Sequence, residues 1–122
     1  MILADSNLII YAASGNHPNL LSWFLDNALS VSAISMVETL GYHKLKPREK
    51  TALETIFSEL TILYPSPEIF QTAVELRQQR SLSLGDALIA ATAIYHDLAL
   101  ATHNTQDFER IKSLKVIDPM LE

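Results

Sequence analysis

The chain opens with Met1-Ile2-Leu3-Ala4-Asp5-Ser6-Asn7, and this stretch decides the predicted fold. Its apolar residues, 1–4, predict a short buried strand that ends in the carboxylate of Asp5. A second apolar run, residues 8–12, follows at once and predicts a helix packed back against that strand. Open parallel α/β sheets bind their ligands at the carboxyl ends of their strands. Asp5 therefore marks a candidate site, provided that other polar side chains reach the same edge.

Strand-like and helix-like segments alternate along the rest of the chain. Further strands are predicted over residues 30–35, 61–64, 98–102 and 116–117, and helices over residues 6–14, from 18 onwards, and over 36–44, 46–60, 67–80 and 85–95. This order predicts βαβ units, and the fold class is α/β, a three-layer α/β/α sandwich with a small, mostly parallel sheet. The length of 122 residues predicts a single domain over residues 1–122.

Composition excludes several kinds of site. The chain contains no cysteine, which excludes disulfide bridges, zinc–thiolate sites and a cysteine nucleophile. No apolar run reaches membrane-spanning length and no basic signal-peptide region is visible, so we expect a soluble, cytoplasmic protein that does not enter a membrane. The net charge of −5 disfavours non-specific binding of nucleic acid, because phosphate contacts need Lys and Arg.

Four further polar residues fall at predicted strand ends or helix starts. Glu38 lies one helical turn beyond the second strand, and Asp86 starts an alanine-rich helix. Asn104 and Asp107 follow the fourth strand. Because the carboxyl ends of parallel strands share one edge, we expect these side chains to converge with Asp5. Clustered carboxylates repel one another unless a hard cation such as Mg²⁺ or Mn²⁺ neutralises them, and such an ion predicts metal-dependent phosphoryl chemistry.

Each of these residues also has a purely structural interpretation. Asp5 can cap the first helix. Ser35-Met36-Val37-Glu38 and Ser83-Leu84-Gly85-Asp86 both fit the capping-box pattern. The polar residues after the fourth strand suit a turn. Only the joint placement at one edge, which capping does not require, favours a metal site.

Basic residues near the acidic edge offer a way to offset the net charge. We hypothesise that Arg77 and Arg80 flank this edge from one side. We place His103, Arg110 and Lys112 on the other side. Their substitution is then expected to weaken any affinity for RNA.

Four motifs in order resemble those of a PIN-domain ribonuclease, in particular the VapC-type toxins of bacterial toxin–antitoxin pairs. They are Asp5-Ser6-Asn7, the segment SAISMVE at 32–38, the segment LGDALIAATA at 84–93 and the segment ATHNTQDF at 101–108. The resemblance covers nearly the whole chain. It implies an endoribonuclease that cuts structured RNA, forms a homodimer and is held inactive by a small antitoxin protein.

The resemblance also implies a site. Asp5, Glu38 and Asp86, with Asp107 nearby, would be the catalytic residues and would bind one or two Mg²⁺ or Mn²⁺ ions that activate a water for attack on the RNA phosphate. Some members of the family place Asp where this chain has Asn104, a neutral and weaker ligand. Asp107 is the expected substitute for that charge. Two further side chains, those of Ser6 and Asn104, would orient waters or phosphate.

Two other classes of function stay open at this point. A non-catalytic PIN-like binding module would use the acidic edge only to dock a protein or RNA partner, and the neutral Asn104 and the acidic net charge favour it. A phosphoacceptor signalling domain also clusters acids in a small parallel sheet. It needs an Asp at the end of strand three and a Lys at the end of a later strand, where this chain has Tyr64-Pro65 and His103.

Overall fold

The first strand of the chain lies at the centre of the sheet. In the computed structural model, which describes residues 1–121, the strands are β1 (Ile2–Ala4), β2 (Leu29–Ser32), β3 (Thr61–Leu63), β4 (Ala99–Ala101) and β5 (Val116–Ile117). Every pairing between neighbouring strands is parallel, and the order across the sheet is β3-β2-β1-β4-β5. Asp5 therefore follows the middle strand, with a neighbouring strand on each side.

In the described part of the chain, residues 1–121, six helices connect the strands. They are α1 (Ser6–Ala13), α2 (Pro18–Asp26), α3 (Ala33–Leu40), α4 (Pro47–Ser58), α5 (Pro67–Gln79) and α6 (Leu84–Tyr95), and a 3₁₀ turn covers Thr105–Asp107. Pro18, Pro47 and Pro67 each occupy the first turn of a helix, where a missing backbone N–H costs nothing. The helices run back across the sheet and so bring the start of α6 to the edge that carries Asp5.

Alternate strand residues supply two apolar cores, one on each face of the sheet. Leu3 of β1 packs against α5 and α6, whereas Ala4 packs on the opposite face against α1, α2 and α4. In β4, Leu100 and Ala101 divide between the two faces in the same way. All four side chains are fully buried. The α/β/α sandwich with a parallel sheet that the sequence predicts is confirmed.

Helix α6 packs closely because its side chains are small. Ala87, Ala90, Ala91 and Ala93 are all buried, and they lie in the core shared with α5 and the sheet. Short side chains bring the α6 backbone near its neighbours, so the position of its first turn is set by packing along the whole helix.

The predicted boundary between β2 and α3 is wrong. The strand ends at Ser32 and the helix begins at Ala33, because the Ser32 hydroxyl accepts a hydrogen bond from the Ile34 N–H and so caps the helix. Ser35 is therefore a residue of the first turn, and the capping box predicted for it with Glu38 does not form. Both side chains are instead available for contacts with α1. The helix also ends earlier than predicted, at Leu40.

One sheet and its two flanking cores extend over the described part of the chain, residues 1–121. The predicted domain of residues 1–122 includes Glu122, which lies outside the described residues. No helix between residues 1 and 121 has both the length and the hydropathy needed to cross a membrane.

Candidate active site

Asp5 is a buried carboxylate at the end of the central strand. Only 3% of the residue is exposed, and each of its carboxylate oxygens accepts one hydrogen bond. Oδ1 accepts from the Ser6 backbone N–H at 2.8 Å, which makes Asp5 the N-cap of α1. Oδ2 accepts from the Thr102 hydroxyl, also at 2.8 Å. The Asp5 side chain therefore caps α1 through Oδ1, while Oδ2 contacts Thr102 at the candidate site.

Burial makes the charged form of Asp5 costly. It raises the pKa of this carboxyl to about 6, and the negative charges of Asp86 and Glu38 add to the increase. The hydrogen bonds from Thr102 and Ser6 act in the opposite direction and favour the carboxylate. A bound cation would favour the carboxylate further, because it would replace the repulsion among the three acids with attraction.

Glu38 is positioned by α1 on one side and α6 on the other. The Ser6 hydroxyl lies 2.7 Å from Glu38 Oε1 and 2.7 Å from Ser35 Oγ. A carboxylate only accepts and a hydroxyl has one proton, so Ser6 donates to Glu38 and accepts from Ser35. On the opposite side, a Cβ atom at Gly85 would overlap Glu38 Oε2 and lie 2.9 Å from its Cδ. Gly85 therefore leaves the space that the carboxylate occupies.

The charge of Asp86 interacts with those of Asp5, Glu38 and Asp107. Its N–H donates to Ser83 Oγ at 3.1 Å, which fixes the first turn of α6. Partial burial raises the pKa of Asp86, and the nearby charges of Asp107 and Glu38 raise it further, whereas a hydrogen bond between the side chains of Ser83 and Asp86 lowers it. Asp107 is exposed in the 3₁₀ turn and acts on Asp86 rather than on Asp5. Among the four acids, Asp5 is buried, Asp86 is half-buried, and Glu38 and Asp107 are exposed.

Thr102 ties the segment after β4 to the central strand. Its buried hydroxyl donates to Asp5 and accepts from the backbone N–H of Asn104 at 3.0 Å. Asn104 enters this network through its main chain, whereas the sequence analysis assigned a role to its side chain. The roles assigned to the side chains of Ser6 and Asn104 toward water or phosphate stay predictions.

Glu38 and Asp86 lie near enough to Asp5 for their charges to raise its pKa, and Asp107 acts on Asp86. The roles of these four acids as catalytic residues and metal ligands stay predictions. Three residues that position these acids were not predicted from the sequence: Ser35, Gly85 and Thr102. Ser35 and Thr102 are polar residues inside the second and fourth motifs, a signal that could have drawn attention to them. Gly85 precedes Asp86 directly, and its function depends on a contact with α3 that no local pattern reveals.

The basic residues expected near the acids divide into separate groups. Arg80 and Arg110 line a cavity that also contains Asp86 and Asp107. Arg77 lies instead beside a different cavity, on the apolar outer face of α5 and α6. His103 contacts the carboxylate of Asp118, with Nδ1 and Oδ2 2.9 Å apart, and its ring packs edge-on against Tyr11. The prediction for Arg80 and Arg110 therefore agrees with the structure, and that for Arg77 does not.

The donor chemistry of the edge suits a hard divalent ion. Asp5, Glu38, Asp86 and Asp107 supply carboxylate oxygens, the ligands that Mg²⁺ and Mn²⁺ prefer, and their charges repel one another. Within residues 1–121, no three His, Cys, Asp or Glu side chains lie close enough to share one ion. The acids are therefore electrostatic neighbours rather than a preassembled cluster of ligands.

Known proteins resemble this chain over almost its whole length. The sequence profile of the PIN domain matches residues 2–114. Ribonuclease VapC2 of Rickettsia felis is 32% identical over 125 residues, covering 92% of this chain and 92% of the relative. The crystal structure of VapBC2 from Rickettsia felis bound to a promoter DNA fragment has a TM-score of 0.81 at 27% identity, covering 97% of this chain and 98% of that one. A toxin–antitoxin complex from Klebsiella pneumoniae has a TM-score of 0.78 at 30% identity, covering 98% of each chain.

The raised pKa of Asp5 predicts a pH-dependent stability. Below about pH 4 the carboxyl is protonated in both the folded and the unfolded chain, and its burial costs little. As the pH rises through about 6, ionisation lowers the free energy of unfolding by up to about 3 kcal/mol. Asp5→Asn removes this loss. In EDTA, urea denaturation between about pH 4 and pH 8 is expected to show the variant gaining stability relative to wild type as the pH rises.

Asp26→Asn is the matched control for this measurement, because Asp26 is an exposed carboxylate at the end of α2. It is expected to leave the pH profile of stability unchanged. A difference between Asp5→Asn and wild type that stays constant over this pH range would show that Asp5 is not the titrating group.

Proposed function

The chain belongs to the PIN domain family, as the four sequence motifs indicated, and from this premise we propose that it is a metal-dependent endoribonuclease, the toxin of a toxin–antitoxin pair. A relative that is 32% identical to this chain is named ribonuclease VapC2. One observation carries the proposal: Asp5, Glu38 and Asp86 come from three separate segments and repel one another at one sheet edge. Structural capping alone does not require this arrangement.

We assign the binding of Mg²⁺ or Mn²⁺ to Asp5, Glu38 and Asp86, with Asp107 as the outer acid. When bound, such an ion polarises a phosphodiester and lowers the pKa of a water molecule. The chain contributes two oriented carboxylates to this chemistry, because hydrogen bonds hold those of Asp5 and Glu38. The reaction hydrolyses one phosphodiester bond and yields two RNA fragments.

The residues around the acids act by positioning them. Thr102 and the Ser6 N–H each engage one oxygen of Asp5, so its carboxylate cannot rotate without losing both bonds. The Ser6 hydroxyl, supported by Ser35, directs Glu38 toward the same edge. These bonds hold the carboxylates of Asp5 and Glu38 in defined orientations, and the acids then have to approach one another to share an ion.

We propose two protein partners, a small antitoxin and a second copy of this chain. The solved structures similar to this chain include VapBC2 and a toxin–antitoxin complex, which supports the antitoxin. A mainly apolar cleft of about 290 Å³, lined in part by Ile10 and Tyr42, opens beside Glu38, where a bound protein would block the site. The exposed side chains of Phe70, Val74 and Leu84 give α5 and α6 an apolar face for the homodimer.

The decisive measurement is RNA cleavage by the purified chain. We expect wild type to cut structured RNA in Mg²⁺ or Mn²⁺ and to lose this activity in EDTA. Asp5→Asn or Asp86→Asn is expected to lower the rate by at least about 10³-fold, because each removes a charge that the ion needs. Asp26→Asn, an identical change at an exposed position, is expected to retain the wild-type rate.

Thermal unfolding with and without Mn²⁺ separates the enzyme from a binding module. Wild type is expected to gain stability from the ion, and Asp5→Asn to gain none. A wild-type chain that neither cuts RNA nor responds to Mn²⁺ would contradict the proposal and favour a PIN-like module that only docks a protein or RNA.

The space at Gly85 gives a second test of the catalytic assignment. Gly85→Ala places a methyl group where the carboxylate of Glu38 lies, and we expect the cleavage rate to fall at least about tenfold. Because Gly85 lies in the first turn of α6, alanine favours the helix by up to about 1 kcal/mol and is not expected to lower the melting temperature. Unchanged cleavage with unchanged stability would show that the position of Glu38 does not matter to the reaction.

Co-expression tests the place of this chain in a toxin–antitoxin pair. Induction of wild type in bacteria is expected to arrest growth, and induction of Asp5→Asn is not. Simultaneous expression of a small protein encoded next to this chain is expected to restore growth. Growth arrest by Asp5→Asn equal to that by wild type would separate toxicity from the proposed nuclease site.

A further inference from the structure

A polar cavity of about 420 Å³ opens on the outer side of the acidic edge. One wall comes from the connection between α5 and α6, which contributes Arg80, Ser83 and Asp86. The opposite wall comes from the 3₁₀ turn and the residues after it, which contribute Gln106, Asp107 and Arg110. None of the positioning contacts described for Asp5 and Glu38 uses this cavity. It nevertheless reaches the catalytic edge, because Asp86 and Asp107 belong to both.

Within residues 1–121, the two arginines of this cavity have no acidic partner. Over the described residues 1–121, the single ion pair joins His103 to Asp118, so neither guanidinium lies within 4.0 Å of a carboxylate oxygen. Both arginines nevertheless share the cavity with Asp86 and Asp107. If their purpose were only to neutralise these acids, direct pairing would be expected. Their charges are instead left for an anion that is not part of the chain.

Arg80 is oriented by neutral groups. Its Nη1 donates to the Leu76 carbonyl at 3.4 Å, and its Nη2 donates to Gln79 Oε1 at 3.1 Å. These bonds restrict the half-buried side chain at the end of α5 without cancelling its charge. A guanidinium presents a planar fork of donors that matches the oxygens of a phosphate. Arg110 is exposed on the facing wall, so the pair lies on opposite sides of the opening.

We propose that this cavity is a phosphate subsite, in which Arg80 and Arg110 bind a backbone phosphate of the RNA next to the phosphodiester that is cut. This inference rests on the proposed nuclease function and adds to it a binding site for a neighbouring nucleotide. It explains how a chain of net charge −5 retains RNA near four carboxylates. The arginines attract the backbone at a position beside the acids rather than on them.

Binding without cleavage tests the subsite directly. Affinity of a fluorescent structured RNA is measured by anisotropy in EDTA over a range of salt concentrations. We expect Arg80→Gln and Arg110→Gln each to weaken binding about tenfold. Each variant is also expected to reduce the slope of log Kd against log salt by roughly 0.7 to 0.9, the value for one lost phosphate contact.

Arg77→Gln is the matched control, since it removes the same charge three residues before Arg80, in the last turn of α5, and Arg77 lines a different cavity. It is expected to leave Kd and the salt slope near the wild-type values. If Arg80→Gln and Arg110→Gln change binding no more than this control does, the subsite is overturned.

A second arm identifies the phosphate. The RNAs of a set each carry one uncharged methylphosphonate linkage at a different position. We expect one of them to bind wild type about tenfold more weakly than unmodified RNA does. The same RNA is expected to bind the Arg80→Gln/Arg110→Gln double variant as well as unmodified RNA does. If every linkage affects wild type and the double variant equally, the arginines contact no particular phosphate and the proposal fails. RNA that binds through the arginines without being cut would overturn the nuclease function alone. RNA that is cut, with Kd unchanged in both arginine variants, would overturn the subsite alone.

Discussion

A buried negative charge at the end of the central strand sets the conditions for the rest of the structure. Asp5 lies where three parallel strands end together, and burial opposes its ionisation. Two donors offset part of that cost, one from the start of α1 and one from Thr102 after β4. Because these donors come from opposite ends of the sequence, the carboxylate can be accommodated only once β1 and β4 are paired. The site and the fold therefore form together.

Helices bring the remaining acids to this charge, and packing determines how closely they approach. Glu38 is directed by the Ser6 hydroxyl, so α3 is aligned with α1 through a contact between side chains 32 positions apart. Helix α6 approaches from the other side, where Gly85 leaves room for the same carboxylate. The small residues that follow in α6 keep its backbone close to the sheet. The position of Glu38 therefore depends on its hydrogen bond to Ser6, on the space at Gly85 and on repulsion from the neighbouring acids.

Sequence predicts the parts of this arrangement that depend on local chemistry. The apolar run before Asp5 predicted β1, and the strand–helix alternation predicted the parallel sheet, because both follow from the periodicity of burial. The start of α3 was mispredicted because Ser32 and Ser35 are both residues that can cap a helix and only Ser35 has a Glu three positions later, whereas the folded backbone selects Ser32. The role of Gly85 was not predictable either, since a contact with a residue 47 positions earlier leaves no local pattern.

The distribution of charge removes the conflict between an acidic chain and the RNA substrate proposed for it. Net charge describes the field at a distance, whereas recognition depends on the charges within a few ångströms of each phosphate. Here the acids occupy the ends of the central strands and the first turn of α6, while Arg80 and Arg110 lie at the rim of the same edge. Although both arginines share a cavity with Asp86 and Asp107, neither forms an ion pair with an acid within residues 1–121. Under the proposed function, each charge is then available to a different part of one RNA backbone, the acids to a cation at the bond that is cut and the arginines to the phosphate beside it.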